Sequence, residues 1–247
     1  MSGIVLITGA SRGIGAATAL LAAERGYDVC VNYRSNTKPA AELVERIRSR
    51  TRAIAVCADV SVEADVVRLF ETIDAELGPL TALVNNAGVL ERQTRVEAMR
   101  ADRLQRVFAV NIIGAMLCCR EAVRRMSRAH GGSGGAIVNV SSMAARLGSP
   151  NEYVDYAASK GAVDTLTIGL AREVASDGVR VNAVRPGLIY TDMHAAGGEP
   201  DRVERLQSSV PLRRGGQPEE VARAILWLLS DESAYTTGTF IDVSGGR

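Results

Sequence analysis

The sequence predicts an α/β fold in which a parallel sheet is covered by helices on both faces. Short β-branched runs recur along the chain, helical patterns separate them, and the runs are apolar throughout instead of alternating with polar residues. Strands that are buried on both faces have this character because neither face meets water. No linker-like change of composition interrupts the alternation, so residues 1–247 are predicted to form one domain.

Seven runs have the length and composition of buried strands. They cover residues 4–8, 29–33, 53–58, 82–85, 136–140, 179–184 and 240–243. Apolar residues at spacings of three and four, as in residues 66–73 and 221–229, predict helices between them. The glycine-rich stretch at residues 131–135 is predicted to be a flexible connection.

The composition argues against several classes of protein. A net charge of +1 and 47% hydrophobic residues indicate neither a disordered tail nor a nucleic-acid surface. No apolar run reaches membrane-spanning length, and Met1, Ser2 and Gly3 lead into an apolar run without the basic region of a signal peptide. We therefore expect a cytoplasmic protein with no nucleic-acid or membrane partner.

The four cysteines have neither disulfide-framework nor CxxC zinc spacing. Cys30 and Cys57 lie in apolar runs, while Cys118 and Cys119 are adjacent in a helical pattern. We expect four buried thiols and no metal site.

A glycine-rich turn joins the first predicted strand to a helix. Residues 8–15 read TGASRGIG, and the helical pattern starts at once after them. Glycines let the backbone approach a pyrophosphate, whose charge a helix N-terminus stabilises. The strand-turn-helix setting therefore predicts a dinucleotide site.

The end of the second strand favours NADP(H), although NAD(H) remains open. Sites selective for NAD have an acidic residue there, which binds the ribose 2′-hydroxyl. This chain has Tyr33, Arg34 and Ser35 instead. Arg34 and Arg12 are suited to a 2′-phosphate, unless both are simply solvated surface arginines.

A tyrosine and a lysine provide a candidate acid/base pair. Tyr156 and Lys160 are four residues apart in a helical pattern, which places them on one helix face. A nearby positive charge is expected to lower the pKa of the phenol, so that Tyr156 exchanges a proton with a substrate oxygen. Polar residues and tight turns also follow the other strands, where ligands bind a parallel sheet. These are Asn85 to Gly88, Ser141 and Ser142, and Pro186 and Gly187, while Asn111 interrupts an apolar helical stretch.

Together these segments resemble the classical short-chain dehydrogenase/reductase family along essentially the whole chain. The matching segments are TGASRGIG, Asp59-Val60, NNAG, Asn111 in VNIIG, the serine before YAASK, and RPG followed by Ile189 and Thr191. The resemblance implies a seven-stranded parallel Rossmann fold, a homotetramer, and the catalytic tetrad Asn111, Ser142, Tyr156 and Lys160. It also implies that Lys160 contacts the nicotinamide ribose and that Asn111 supports a water-borne proton relay.

The resemblance and the residue patterns together predict the cofactor site. Its residues are Gly9, Ser11, Arg12, Gly13, Ile14, Gly15, Tyr33, Arg34, Ser35, Asp59, Val60, Asn86, Ala87, Gly88, Asn111, Tyr156, Lys160, Pro186, Gly187, Ile189 and Thr191, with Asp59 and Val60 on the adenine. Ser142 is preferred to Ser141 because the family spacing to the tyrosine is usually slightly shorter, but an extra residue before Tyr156 leaves both open.

The substrate is predicted only as a class, a carbonyl compound or secondary alcohol. Residues 148–155 and 190–200 should flank its pocket. Polar residues there favour a sugar or another hydroxylated small molecule, and VNYRS at residues 31–35 is similar to the glucose 1-dehydrogenases of the family. The predicted substrate contacts are Ser142, Glu152, Tyr153, Tyr156 and His194, with Asp192 also on the rim.

An alternative is 3-oxoacyl-carrier-protein reductase, for which a set of helix arginines would form a basic docking patch. They are Arg120, Arg124, Arg125, Arg128 and Arg172.

Two further hypotheses come from other classes of protein. Residues 9–13 also match GxSxG, which would make Ser11 the nucleophile of a serine hydrolase with His130 or His194 as its base. No earlier strand-to-helix loop would supply the oxyanion hole, which argues against hydrolysis. A nucleotide-sensing module that has lost the chemistry is the other alternative, and the complete tetrad argues against it.

Overall fold

A parallel seven-stranded sheet forms the centre of the computed structural model, which describes residues 3–247. Its strands are β1 Ile4–Ile7, β2 Asp28–Tyr33, β3 Ala53–Cys57, β4 Ala82–Asn85, β5 Gly135–Val140, β6 Val179–Pro186 and β7 Phe240–Val243. All seven predicted strands are confirmed. The expectation about a signal peptide depends partly on Met1 and Ser2, which lie outside the described residues. Within residues 3–247, no helix has the length and apolar character needed to cross a bilayer.

Ten α-helices connect the strands within residues 3–247. They are α1 Gly13–Glu24, α2 Thr37–Arg48, α3 Glu63–Glu76, α4 Ala101–Phe108, α5 Ala115–Met126, α6 Ala144–Leu147, α7 Val154–Val174, α8 Met193–Ala196, α9 Arg202–Leu206 and α10 Pro218–Leu229. Short 3-10 turns occur at Val96–Ala98, Arg128–His130, Gln207–Ser209 and Asp231–Ser233.

Both faces of the sheet are buried, as the apolar strands predict. On one face, Val5, Ile7 and Val31 pack with residues of α1, α2 and α10. On the other, Leu6 and Leu83 pack with residues of α3, α5 and α7. Alternate side chains of one strand therefore enter different cores, which explains why the strands are apolar throughout.

The strand order creates a crevice at one edge of the sheet. The sheet has the order β3-β2-β1-β4-β5-β6-β7, so the direction of winding reverses between β1 and β4. Loops that leave the carboxyl ends of these two strands diverge to opposite sides. This topological switch point is where doubly wound sheets bind their ligands.

Three sequence expectations differ from the structure. Asn111 lies in a π-helical segment, Ala109–Gly114, between α4 and α5 and not in a regular helix. Residues 131–135 form an ordered turn, because Gly132 N donates to Ser127 O at 2.9 Å and Gly134 N donates to Met126 O at 2.7 Å. Cys57 is exposed, because β3 is an edge strand whose alternate residues face outward. Its thiol lies 3.2 Å from the backbone oxygen of Arg34.

Candidate active site

The glycine-rich turn places the N-terminus of α1 at the crevice. The helix begins at Gly13, and the Arg12 side chain makes no capping hydrogen bond to it. The first-turn N–H groups therefore have no side-chain acceptor among the described residues, and their partial positive charge suits an anion such as a pyrophosphate.

Close contacts with the loop after β4 explain two of the glycines. Gly9 has a φ of +61°, and a Cβ atom there would lie 2.9 Å from Ala87 Cα. At Gly15, a Cβ would lie 2.6 Å from Asn86 Nδ2. The Asn86 amide occupies this space because it donates to the carbonyls of Thr8 and Gly9, at 2.9 and 3.0 Å. Asn86 thus ties the loop after β4 to the glycine turn.

A groove of about 370 Å³ runs from this turn over the ends of β2 and β3. It collects most of the predicted cofactor residues: Gly9, Ser11, Arg12, Gly13, Ile14, Tyr33, Arg34, Ser35, Asp59, Val60, Asn86, Ala87, Gly88 and Thr191. Gly15 does not line it, because that residue is packed behind the turn. Asn32 and Asn36 line it without having been predicted, and Asp192, which was predicted on the substrate rim, lines it as well. The length of the groove and the helix N-terminus fit a dinucleotide.

Two arginines lie in the groove with exposed side chains. Arg12 and Arg34 are 4.0 Å from Asp192 and Asp59 respectively, and their side chains are 56% and 63% exposed. Ion pairs of this length at a surface contribute little free energy. Both guanidinium groups are therefore able to turn toward a phosphate.

A second cavity, of about 140 Å³, adjoins the groove and contains the predicted catalytic side chains. Ser142, Tyr156 and Lys160 line it, as do Pro186, Gly187 and Ile189. The two spaces share Ile14, Asn86, Leu90, Thr191 and Met193. A ligand in the groove and a small molecule in the cavity would therefore be in contact.

The structure distinguishes the two candidate serines. The Ser141 hydroxyl is buried and donates to Lys160 O at 3.3 Å, so its hydrogen is already bound to the backbone of α7. The Ser142 hydroxyl accepts from Ala144 N at 3.1 Å and lines the cavity together with the phenol of Tyr156. Successive residues at a strand end point to opposite sides, and Ser142 is the one beside the phenol.

The pKa of the phenol differs from the sequence expectation. Burial raises the pKa of Tyr156 to about 12, although the hydrogen bond with Ser142 opposes the rise. Burial also lowers the pKa of Lys160 to about 8, partly offset by the charge of Asp164. Lys160 Nζ is 5.6 Å from the centre of the tyrosine ring and donates to Val140 O at 2.7 Å. Desolvation therefore outweighs the lysine, and the phenol is protonated at neutral pH.

Asn111 holds the loop that follows β4. Its Oδ1 accepts from Val89 N at 2.8 Å, and its Nδ2 donates to Val89 O at 3.1 Å and to Ser159 Oγ at 3.0 Å. The side chain is buried and lines neither the groove nor the cavity. The π-helical turn, an irregularity that is frequent at functional sites, places Asn111 between this loop and α7.

The predicted substrate residues have different surroundings. Tyr153 and His194 line the cavity. The Tyr153 hydroxyl donates to Gly197 O at 3.3 Å, and His194 Nε2 is 3.0 Å from Ile189 O. Glu152 does not line the cavity, because its carboxylate pairs with Arg202 at 2.5 Å. Asp192 faces the cofactor groove.

Two cavity arginines were missed by the sequence reasoning. Arg202 and Arg247 both line the cavity that contains Tyr156. Arg247 could have been predicted, because it follows β7 at the carboxyl edge of the sheet, where ligands bind. No sequence pattern marks Arg202 as a cavity residue, since it belongs to a short helix in an irregular segment.

The hydrolase hypothesis finds no matching geometry. Ser11 lines the cofactor groove, whereas His194 lines the cavity. His130 lies just before β5, at the edge of the sheet where the strands begin and not at the carboxyl edge. Among the hydrogen bonds of residues 3–247, none joins Ser11 to a histidine, as a nucleophile and base require. Nor do residues 3–247 contain a cluster of side chains suited to a metal ion.

Comparison with known proteins identifies relatives over the full fold. A sequence profile of a family described as enoyl-(acyl carrier protein) reductase matches residues 9–247. An uncharacterised oxidoreductase of Escherichia coli, YgfF, is 60% identical over 245 residues, which is 99% of each chain. A 3-oxoacyl-[acyl-carrier-protein] reductase of Staphylococcus aureus is 37% identical and covers 100% of this chain and 98% of its own.

Two further relatives extend the comparison. Carbonyl reductase family member 4 of Danio rerio is 39% identical over 246 residues, or 100% of this chain and 98% of its own. The crystal structure of a short-chain type dehydrogenase/reductase from Mycobacterium marinum superimposes with a TM-score of 0.92 at 33% identity, covering 99% of this chain and 94% of that one.

Proposed function

The chain belongs to the short-chain dehydrogenase/reductase family of oxidoreductases, and on that premise we propose that it transfers hydride between NADP(H) and a small carbonyl compound or secondary alcohol. The observation that carries the proposal is the contact between two spaces. The cavity with Ser142, Tyr156 and Lys160 opens into the groove that holds Arg12 and Arg34. We include a cytoplasmic location and one domain over residues 1–247 in this proposal.

The side chains of the cavity suit carbonyl reduction. A nicotinamide bound beside the cavity would provide the hydride that the carbonyl carbon accepts. Ser142 donates a hydrogen bond to the carbonyl oxygen, and Tyr156 gives that oxygen its proton. A phenol whose pKa is raised to about 12 is protonated at neutral pH and therefore begins in the acid form. Lys160, as an ammonium, stabilises the phenolate that remains, and Asn111 positions the loop beside it.

Turnover of NADPH with a panel of ketones and aldehydes, and of NADP with the corresponding alcohols, tests this function. We expect turnover of at least one pair. Tight NADPH binding without any turnover would instead favour the nucleotide-sensing alternative.

The alternative of acting on an acyl carrier protein rests on the 37% identical reductase. The structure favours it less, because several arginines of the predicted docking patch are neutralised. Arg120 pairs with Glu63 at 2.6 Å, and Arg125 pairs with Asp74 at 2.8 Å. Arg124 pairs with Glu121 at 2.9 Å. A cavity of about 140 Å³ also suits a small substrate better than a long acyl chain.

Replacing Arg34 with Asp is expected to reverse the cofactor preference. The change removes charge-assisted hydrogen bonds to the 2′-phosphate, worth about 1.5–3 kcal/mol, and places a carboxylate where it would repel that phosphate. NADPH affinity should fall by roughly 10- to 150-fold, while NADH affinity stays the same or rises. Titration of both cofactors into both proteins measures the change.

The control for Arg34→Asp is Arg46→Asp, which changes the net charge equally on an exposed face of α2 outside the groove. A wild-type preference for NADH, or an equal loss in both variants, would contradict the assignment of Arg34 to the 2′-phosphate.

We propose that the protein is a homotetramer in solution. The π-helical segment, α5 and α7 each carry an exposed apolar side chain: Ile113 is 51% exposed, Met116 46% and Ile168 39%. Burial of such residues between copies would remove apolar surface from water. Light scattering should give a mass near four chains, and Met116→Glu should lower it. A wild-type monomer at micromolar concentration would contradict the proposal.

A further inference from the structure

Besides Lys160, the cavity beside Tyr156 carries one positive charge that forms no ion pair with any side chain of residues 3–247. Arg202 is 9% exposed and pairs with both Glu152 and Glu199 at 2.5 Å. Arg205 pairs with the same two carboxylates. Two guanidinium groups are thus matched by two carboxylates, and the cluster alone is neutral.

Arg247 adds a third guanidinium to this cluster. It lines the cavity, and within residues 3–247 it forms no ion pair. Burial lowers the pKa of Arg247, the charge of Arg202 lowers it further, and Glu152 offsets part of the effect. The two guanidinium groups are therefore close enough to repel each other.

The backbone fixes the position of Arg247. Leu212 N donates to Gly245 O at 3.1 Å, and the Ser244 hydroxyl donates to Arg247 O at 3.2 Å. These bonds turn the segment after β7 back over the cavity. Arg247 is consequently held at the rim and is not simply a solvated surface side chain.

Other polar and apolar groups of the cavity further restrict the class of ligand that would fit it. His194 Nε2 faces a carbonyl oxygen and is therefore the protonated nitrogen, which makes Nδ1 an acceptor in the neutral ring. That Nδ1 is buried and has no hydrogen-bond partner among the described residues. Met143, Leu147 and Leu188 supply apolar walls for a short alkyl chain.

We propose that the substrate of this site is a small oxo acid, or the hydroxy acid formed from it, whose carboxylate pairs with Arg247. The planar guanidinium matches a carboxylate in charge and shape. The volume of about 140 Å³ leaves room for only a few carbon atoms between the carboxylate and the carbonyl. This inference rests on the proposed oxidoreductase function and names its substrate class.

Matched pairs of acid and ester test the carboxylate directly. Pyruvate, acetoacetate and levulinate are each compared with their methyl esters, using the full-length enzyme and NADPH. We expect kcat/KM for the best acid to exceed that of its ester by at least tenfold, with the difference mainly in KM. Arg247→Gln should abolish the preference for the acid over its ester, Arg247→Lys should keep part of that preference, and Arg223→Gln, on an exposed face of α10, should leave it as in the wild type.

Binding of a non-reducible acid gives a readout that does not need turnover. Butyrate at ten times its Kd should raise the Tm of the wild-type complex with NADPH by a few degrees. Neutral butyramide should not, and Arg247→Gln should remove the effect of butyrate.

Equal kcat/KM for acids and esters, or no rise in Tm with butyrate, would overturn the carboxylate inference and leave the oxidoreductase proposal intact. Stabilisation by butyrate without turnover of any carbonyl would support the anion site and contradict the proposed reaction.

Discussion

Replacing Tyr156 with Phe is expected to lower kcat by about 100- to 10,000-fold, the usual contribution of a positioned general acid. The variant keeps the ring that α7 holds in the cavity and removes only the hydroxyl beside Ser142. NADPH affinity should change little, because the glycine turn and Arg34 lie in the adjoining groove. Steady-state kinetics with any reducible carbonyl and a fluorescence titration of NADPH measure the two quantities.

Tyr153→Phe is the matched control for this prediction. Tyr153 lines the same cavity, but its hydroxyl donates to Gly197 O and is not the proposed proton donor. Tyr153→Phe removes a hydrogen bond but no proton donor, so kcat should fall by only a small fraction of the loss expected for Tyr156→Phe. A Tyr156→Phe enzyme that keeps most of the wild-type kcat would show that another group protonates the substrate.

The strands and the cofactor groove were predictable because their physical causes are local. A strand buried on both faces must be apolar throughout, and each run, such as residues 29–33, shows this without reference to its neighbours. A glycine turn between a strand and a helix has the same local signature. The carboxyl ends of parallel strands meet at one edge, so Ser142 and Asn86 could be placed together from the order of the elements alone.

The features that were not predictable depend on distant segments. The i, i+4 spacing places Tyr156 and Lys160 on one helix face, but the burial that dominates both pKa values depends on the packing of α7 against other elements, such as β6 and α6. Residue type alone therefore gave the wrong direction for the phenol. Arg202 and Arg247 reach the cavity from segments without a motif, and neither is distinguishable by sequence from a solvated arginine.

A buried ion pair next to Tyr156, the proposed proton donor, is the clearest long-range feature of this kind. Arg103 on α4 binds the Asp155 carboxylate through two hydrogen bonds, Nε to Oδ2 at 2.7 Å and Nη2 to Oδ1 at 3.1 Å. The two side chains are only 11% and 1% exposed. Asp155 precedes Tyr156 in the first turn of α7, so the pair fixes the start of that helix against α4.

Replacing Arg103 with Ala is expected to lower the free energy of unfolding by about 3–5 kcal/mol, because it leaves the Asp155 carboxylate buried without a counter-charge. Urea denaturation at one fixed protein concentration measures the change, since assembly would otherwise contribute to stability. Arg100→Ala is the matched control. Arg100 also lies at the start of α4 and pairs with Asp102 at 3.1 Å, but the two side chains are 84% and 52% exposed. Its loss should be below about 1 kcal/mol.

The double variant Arg103→Leu with Asp155→Leu separates charge from packing. If Arg103→Ala destabilises the protein because Asp155 is left without a counter-charge, removing both charges and filling the space with apolar groups should recover most of the stability. If the double variant is as unstable as Arg103→Ala, the loss comes from packing or from the hydrogen bond that Arg103 Nη1 donates to Arg92 O. A stability for Arg103→Ala within about 1 kcal/mol of wild type would mean that water or a rearranged neighbour solvates Asp155, and that the pair does not hold the start of α7.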